Sequence, residues 1–330
     1  MDMLKTLQEL NACHGPSGDE GDVAALLEKM AMPYVDECRR DTMGNLITHK
    51  RGEGSRVMFA AHMDSIGCII THIEKEGYLR FCKVGGLHAP DLLAVPVRFK
   101  NGIRGVICLN ESVEPKNMTL DDLYLDIGAH DADEAKALVR IGDTAVFDTA
   151  SYAAGDRLIS PYLDNRASCL ALLMAMEQIQ ESGNDLYFVF TAQEELGFRG
   201  AKTAAYGIDP DYGVAVDVTS VADALGSKHG GSSFLGGGAA IKVMDSSVIC
   251  HPQMVARLEA LAEARGIPVQ RDVIRAGGTD AGGIHTSRMG VLTGGISIPC
   301  RYIHTPQELA DRGDIEAAAR LIAAFAEERL

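Results

Sequence analysis

The chain has 330 residues, 46% of them hydrophobic, and its 31 basic and 46 acidic side chains give a formal net charge of −15. A chain of this length buries a large core, so the composition indicates a globular protein with one large domain or two smaller ones. The negative charge, with no Lys/Arg cluster to offset it, argues against nucleic acid or an anionic membrane as a partner, because both would repel it.

Two further features of the sequence bear on the compartment. No apolar run approaches the ~20 residues that a membrane span needs, and the first ten residues form a polar amphipathic helix without a signal-peptide core. The eight cysteines are scattered without a C-x-x-C pair, so the sequence contains neither a zinc ribbon nor a redox motif. We therefore expect a cytoplasmic protein with reduced thiols.

The first part of the chain has helical patterns at residues 3–12 and 20–30, followed by strand patterns at residues 45–49 and 56–61. Residues 67–159 then consist of short alternating segments separated by turn residues, which is an all-β pattern with one helix at 132–140. Asn101-Gly102, between two apolar runs, is a specific hairpin signal.

From residue 164 onward strands and helices alternate again. The predicted helices are residues 167–180, 252–265 and 314–328, and the predicted strands are 186–192, 213–217 and 291–298. Gly266 marks the end of one helix and Asp314 the start of the last. We therefore predict an α/β fold with a mixed central sheet and helices on both faces. Residues 1–66 and 160–330 form this domain, and a small all-β inserted domain at 67–159 interrupts it.

The predicted strand at 186–192 is apolar and ends just before two adjacent carboxylates, Glu194 and Glu195. Two neighbouring carboxylates at a buried strand end repel each other and are poorly solvated. They are tolerable there if one binds a cation and the other takes part in proton transfer. The pair is therefore a candidate catalytic site.

Further polar side chains follow other predicted elements in the same way. His62 and Asp64 follow the strand at 56–61, Asp217 ends the strand at 213–217, and His304 follows the strand at 291–298. Asp164 immediately precedes a helix. Open α/β sheets place their chemistry beyond the carboxyl ends of their strands, so we expect these side chains to meet.

Seven motifs resemble those of the tetrahedral aminopeptidases, metallopeptidase family M42, and occur in the family's order over nearly the whole chain. They are GPSGDE at 15–20, AHMDSIG at 61–67, DNRA at 164–167, QEELGFRGA at 193–201, DVT at 217–219, GGTDA at 277–281 and IPCRYIHTP at 298–306. Asn165 and residues 220–222 depart from the family pattern, without removing a predicted metal ligand.

The resemblance implies a site for two divalent metal ions. By it, Asp164 bridges both ions, His62 and Asp217 complete one, and Glu195 and His304 complete the other. It also implies that Glu194 is the general base and that Asp64 orients the imidazole of His62. Two imidazoles and three carboxylates are a mixed donor set that suits zinc, which we expect first, or cobalt or manganese.

These residues predict an enzyme that hydrolyses N-terminal residues from peptides with a metal-activated water and Glu194 as base. A two-metal deacylase or amidohydrolase acting on small N-acyl substrates is the alternative, because the same water attack would serve it. A scaffold that has lost turnover is a third reading, against which the complete set of site residues counts. The preferred N-terminal residue is open.

The resemblance also bears on assembly. It implies a homo-oligomer in which the inserted domain makes dimers that build a dodecamer. The remaining histidines, His229 among them, have no comparable setting and are interpreted as surface or structural residues. The Gly- and Ser-rich residues 226–238 are expected to form an exposed loop.

Overall fold

The computed structural model describes residues 1–227 and 231–330. These residues form one large mixed sheet with helices and one small closed barrel. Residues 228–230 of the predicted loop at 226–238, His229 among them, lie outside the described residues. Within the described part of the chain, no helix is both long and apolar enough to cross a membrane.

The helices and strands are as follows. The helices are α1 Met3–Ala12, α2 Gly21–Ala31, α3 Ala132–Leu138, α4 Leu163–Gln178, α5 Arg199–Ile208, α6 Pro252–Arg265, α7 Ala281–Ile284 and α8 Arg312–Glu327. The strands of the large sheet are β1 Glu37–Arg40, β2 Leu46–Lys50, β3 Arg56–His62, β10 Tyr152–Ala154, β11 Arg157–Ser160, β12 Asp185–Thr191, β13 Tyr212–Ser220, β14 Ala239–Met244, β15 Val269–Val273, β16 Leu292–Arg301 and β17 Glu308–Asp311. The barrel strands are β4 Gly67–Ile73, β5 Leu79–Val84, β6 Pro96–Phe99, β7 Arg104–Leu109, β8 Leu123–Asp126 and β9 Thr144–Phe147.

The large sheet runs in the order β1-β2-β12-β3-β13-β16-β17-β11-β10, with β14 pairing β16 and β15 pairing β14. Its centre is parallel: β12, β3, β13 and β16 run in the same direction. Strands on either side of this centre, β2 and β17, are antiparallel to their neighbours. The sheet is therefore mixed, as predicted.

Helices cover both faces of the sheet because successive side chains of a buried strand point to opposite sides. On β3, Phe59 packs in the core that contains α1, α2, α4, α6 and α8, where its ring stacks on Phe188 at 5.3 Å between centroids. Met58 and Ala60 point the other way, into the core formed with α5 and α7. The predicted fold class is confirmed.

The barrel closes in the order β4-β5-β8-β7-β6-β9 and has a hydrophobic core of its own. β6 and β7 form the antiparallel hairpin that Asn101-Gly102 predicted. The residues after β9 return to the large sheet, where β10 and β11 pair with each other and β11 pairs with β17. The division of the chain into domains at residues 66 and 160 stays a prediction.

The start of the last helix differs from the prediction. Asp311, not Asp314, is the N-cap of α8, and its side chain accepts the N–H of Gly313. The side chain of Asp314 instead accepts the N–H groups of Gly236 and Gly238, at 2.8 and 2.7 Å. Both aspartates suit a helix start, and the tertiary contact with the glycine loop determined which of them became the cap.

A buried ion pair supports the sheet behind the predicted site. Nζ of Lys242 on β14 lies 2.5 Å from Oδ2 of Asp272 on β15, and the two side chains are 1% and 0% exposed. Asp272 also accepts the hydroxyl of Thr219 at 3.0 Å, and Thr219 lies two residues after Asp217 on β13. A buried charge that loses its partner is strongly destabilising.

We expect Asp272→Ala to lower the free energy of unfolding of the metal-free protein by about 3–5 kcal/mol, because it leaves the ammonium of Lys242 buried and unpaired. Urea unfolding followed by circular dichroism measures the change. Arg271→Ala is the matched control on the same strand: its ion pair with Glu259 is largely exposed, so the substitution should leave the free energy of unfolding nearly unchanged. Equal losses in the two variants would contradict the prediction.

Candidate metal centre

The structure brings the predicted site residues together at one edge of the sheet. Four of them lie at or just beyond the carboxyl ends of neighbouring strands: His62 ends β3, Asp217 lies near the end of β13, and Glu194 and Glu195 follow β12. Asp164 lies in the first turn of α4, where its ψ of 98° departs from helical geometry, and His304 follows β16. All six line one cavity of about 470 Å³.

Asp164 lies at the centre of this group, with a histidine facing each carboxylate oxygen. Oδ1 lies 3.0 Å from Nε2 of His62, and Oδ2 lies 3.2 Å from Nε2 of His304. On the first side, Nε2 of His62 is also 3.7 Å from Oδ1 of Asp217. On the second side, Nε2 of His304 is 3.1 Å from Oε1 of Glu195. These five side chains therefore form two clusters that share Asp164.

The separations suit direct coordination of cations. One donor atom each from His62, Asp164 and Glu195 lies within 4.8 Å of the others. Oε2 of Glu194 lies 3.8 Å from Nε2 of His62, beside the first cluster. Glu194 thus faces the same space as the donors.

Asp64 is completely buried and contacts both the histidine and the acidic pair. Nδ1 of His62 lies 3.1 Å from the carbonyl oxygen of Asp64 and 3.5 Å from its Oδ1. The Asp64 carboxylate accepts the hydroxyl of Ser17 at 2.6 Å and the N–H groups of Glu194 and Glu195 at 3.0 and 3.2 Å. It therefore holds the backbone that carries both glutamates, which the sequence alone did not indicate.

The electrostatics of the site show a surplus of buried negative charge. Burial, reinforced by neighbouring carboxylates, raises the pKa of Glu194 and of Asp217 well above their ordinary values. Burial opposes protonation of His304, but the carboxylates of Asp164 and Glu195 outweigh it and raise its pKa to about 11. Four largely buried carboxylates thus share two imidazoles, an arrangement that divalent cations would relieve.

The chemical nature of these donor atoms suits divalent metal ions. It combines imidazole nitrogens with carboxylate oxygens, the donors that zinc, cobalt and manganese accept. Within the described part of the chain, the buried Oε1 of Glu195 accepts no hydrogen bond of acceptable geometry, although His304 lies close to it. An acceptor that lacks a proton donor is available to a cation.

Three parts of the site were not predicted from the sequence. Glu308 is fully buried and accepts the backbone N–H groups of Asp164 and His304. Asp280 is buried near Glu194 and accepts the hydroxyl of Thr191, and burial raises its pKa to about 6. Asp280 belongs to the GGTDA motif, but nothing in the local sequence around Glu308 signals its contacts.

The third unpredicted part is a turn of the barrel that packs on the predicted ligands. A Cβ atom added at Gly86 would lie 2.5 Å from Nδ1 of His304, and one added at Gly85 would lie 2.8 Å from Oε2 of Glu195. Gly85 also has a φ of +73°, which favours glycine. Both positions therefore require the absence of a side chain.

The departures from the family pattern lie beside the site rather than among the donors. Asn165 is buried, and its side-chain amide donates to the carbonyl of Val216 on β13 at 3.0 Å. Ser220 ends β13 and lines the cavity, and residues 221–222 follow it.

Comparisons with known proteins agree with the resemblance of the motifs. The profile of the M42 glutamyl aminopeptidase family matches residues 44–321. Lysyl aminopeptidase of Pyrococcus furiosus is 36% identical, over 95% of this chain and 94% of that enzyme.

Two solved structures extend the likeness to the fold. An aminopeptidase from the archaeon Desulfurococcus kamchatkensis matches with a TM-score of 0.95 at 39% identity, over 98% of this chain and 94% of that one. The TET1 peptidase of Pyrococcus horikoshii, which can assemble into a tetrahedron or a large octahedral shell, matches with a TM-score of 0.89 at 32% identity, over 99% of this chain and 100% of that one.

The family profile spans most of the chain, and the relatives match it from end to end. This confirms the family that the motifs indicated. The chain belongs to the M42 glutamyl aminopeptidase family of metallopeptidases and is a hydrolase of the aminopeptidase class.

Proposed function

We propose that this chain is a two-metal aminopeptidase that removes N-terminal residues from peptides. The observation that carries the proposal is the position of Asp164, whose two oxygens face His62 and His304, residues that lie far apart in the sequence. A carboxylate shared in this way is what two neighbouring cations need. The proposed ligands are Asp164, His62, Asp217, Glu195 and His304.

When bound at these donors, divalent ions would supply Lewis acidity that makes water a stronger acid and favours negative charge on a carbonyl oxygen. Zinc is the ion we expect, with cobalt and manganese as alternatives for the same donor set. Among the protein's own groups, Asp64 holds the imidazole of His62 and the backbone of both glutamates.

Glu194 is the proposed general base. Its carboxylate opens on the cavity and lies beside the first donor cluster, so it can take a proton from the water that attacks the scissile carbonyl. The same carboxyl group then gives that proton to the nitrogen of the leaving amine as the C–N bond breaks.

We also propose that the protein is a homo-oligomer and that it is cytoplasmic. The TET1 peptidase, which matches nearly the whole chain, can assemble into a tetrahedron or a large octahedral shell. This supports a homo-oligomer, which we propose to consist of dimers made through the inserted domain and assembled into a dodecamer. The eight cysteines are free thiols, which suits the reducing cytoplasm.

The choice between an aminopeptidase and a deacylase is tested by the N-terminus of the substrate. We expect release of amino acids from unblocked peptides and aminoacyl p-nitroanilides, and little or no hydrolysis of their N-acetylated forms. Treatment with a chelator should abolish turnover, and zinc, cobalt or manganese should restore it with two ions per chain by elemental analysis. Faster hydrolysis of the blocked substrates would favour the deacylase, and full activity after metal removal would contradict the metal centre.

Glu194→Gln should lower kcat by about 10²–10⁴-fold, because the amide keeps the shape of the side chain but cannot accept the proton. Metal content should stay at the wild-type value, since Glu194 is not among the proposed ligands. Glu316→Gln, the same change at an exposed position on α8, is the control and should leave kcat unchanged. A Glu194→Gln enzyme with wild-type kcat would remove Glu194 from the mechanism.

Gly86→Ala should weaken metal binding about tenfold or more, because the new methyl group would displace the ring of His304. Competition with a chromogenic chelator measures the affinity. Gly183→Ala is the matched control: a Cβ there meets no atom within 4 Å. Unchanged metal affinity in Gly86→Ala would show that the contact does not position His304.

A further inference from the structure

Glu308 lies at the start of β17, four residues after His304, and is 0% exposed. Its Oε2 accepts the backbone N–H of Asp164 at 2.7 Å, and its Oε1 accepts the backbone N–H of His304 at 2.8 Å. One side chain thus joins the backbone of two proposed metal ligands that lie far apart in the sequence.

We propose that Glu308 is a positioning residue that sets the separation of Asp164 and His304 by holding the backbone N–H of each. The inference rests on the proposed metal centre and extends it, because it gives a role to a residue outside the proposed set of ligands.

The sheet fixes the base of this side chain. β17 lies between β11 and β16, with Ser160 opposite Glu308 and Cys300 opposite Ala310. β11 leads within four residues to Asp164, and β16 leads within three residues to His304. Glu308 therefore stands between the two loops that carry these ligands.

Two observations indicate that the loops need this support. His304 has a φ of +65° and Tyr302 a φ of +61°, conformations that residues other than glycine seldom adopt. On the other side, Tyr162 has a φ of +59°, and the backbone of Asp164 is not helical although it lies in the first turn of α4. In both loops, therefore, a tyrosine with a positive φ lies two residues before the proposed ligand.

The residue type follows from the geometry. The two N–H groups approach the two terminal atoms of the side chain, so both atoms must be acceptors. Among side chains of this length, only a carboxylate has two acceptor oxygens. Glu308 is fully buried, and each of its two carboxylate oxygens accepts one of these N–H groups.

Substitutions can separate position from charge. Glu308→Asp keeps the charge but is one methylene too short to reach both N–H groups. Glu308→Gln keeps the length but turns a donor toward one of them. Asp314→Asn is the matched control, because Asp314 is also a buried carboxylate that accepts two backbone N–H groups, those of Gly236 and Gly238, away from the site.

The experiment measures the affinity of each metal-free protein for Co²⁺ by chelator competition, with the visible spectrum of the bound ion as a second readout. We expect both Glu308 variants to lose about 10–100-fold in affinity and to show an altered spectrum, whereas Asp314→Asn stays within about twofold of wild type. Thermal unfolding of the metal-free proteins should show comparable losses of stability in the Glu308 and Asp314 variants. Wild-type affinity in both Glu308 variants, an equal loss in Asp314→Asn, or a loss in Glu308→Gln alone would overturn the proposal.

Amide hydrogen exchange in the metal-free protein tests the contact directly. Exchange at the N–H groups of Asp164 and His304 should accelerate at least tenfold in the Glu308 variants and stay unchanged in Asp314→Asn. Unchanged exchange at both groups would also overturn the proposal. If the wild-type protein itself bound no cobalt, the proposed function would fail. The wild-type measurement therefore distinguishes a failure of the proposed function from a failure of the role proposed for Glu308.

Discussion

Crowding of buried negative charge is the constraint on which the rest of this structure depends. Asp164, Glu194, Glu195 and Asp217 meet at one edge of the sheet with two imidazoles between them. Such a group is unfavourable in an interior of low polarizability, and its members would separate if their backbones were free to move. Hydrogen bonds to the backbone hold these residues in place. Asp64 accepts the N–H groups of Glu194 and Glu195, and Glu308 accepts those of Asp164 and His304.

The mixed sheet explains how residues from both halves of the chain reach this edge. β12, β3 and β13 are parallel neighbours, so the residues that follow them emerge side by side. His304 and Asp164 follow β16 and β11, which run in this direction too: β16 pairs parallel with β13, and both β16 and β11 pair antiparallel with β17. β17 begins at this same edge of the sheet, which brings Glu308, its first residue, to the backbone of Asp164 and His304.

The sequence predicted most of the residues that meet at this edge because they follow strong local signals. The strand predicted at 186–192 is observed at Asp185–Thr191, and the acidic pair follows it as expected. α5 was missed because it is short, contains Gly200 and Gly207, and begins without a side-chain cap. The contacts of Glu308 and of the barrel turn could not be predicted, since they depend on partners more than 70 residues away in the sequence. The N-cap of α8 could not be predicted either, because two aspartates suit it equally well.

The packing of Gly85 and Gly86 against Glu195 and His304 has a mechanical consequence. The turn that follows β5 leaves no room for a methyl group between the barrel and the two side chains, so the barrel cannot tilt toward the sheet without pressing on them. The orientation of the barrel and the positions of these two side chains are therefore coupled. A neighbouring molecule that pushed the barrel toward the sheet would press Gly85 and Gly86 against two of the proposed ligands.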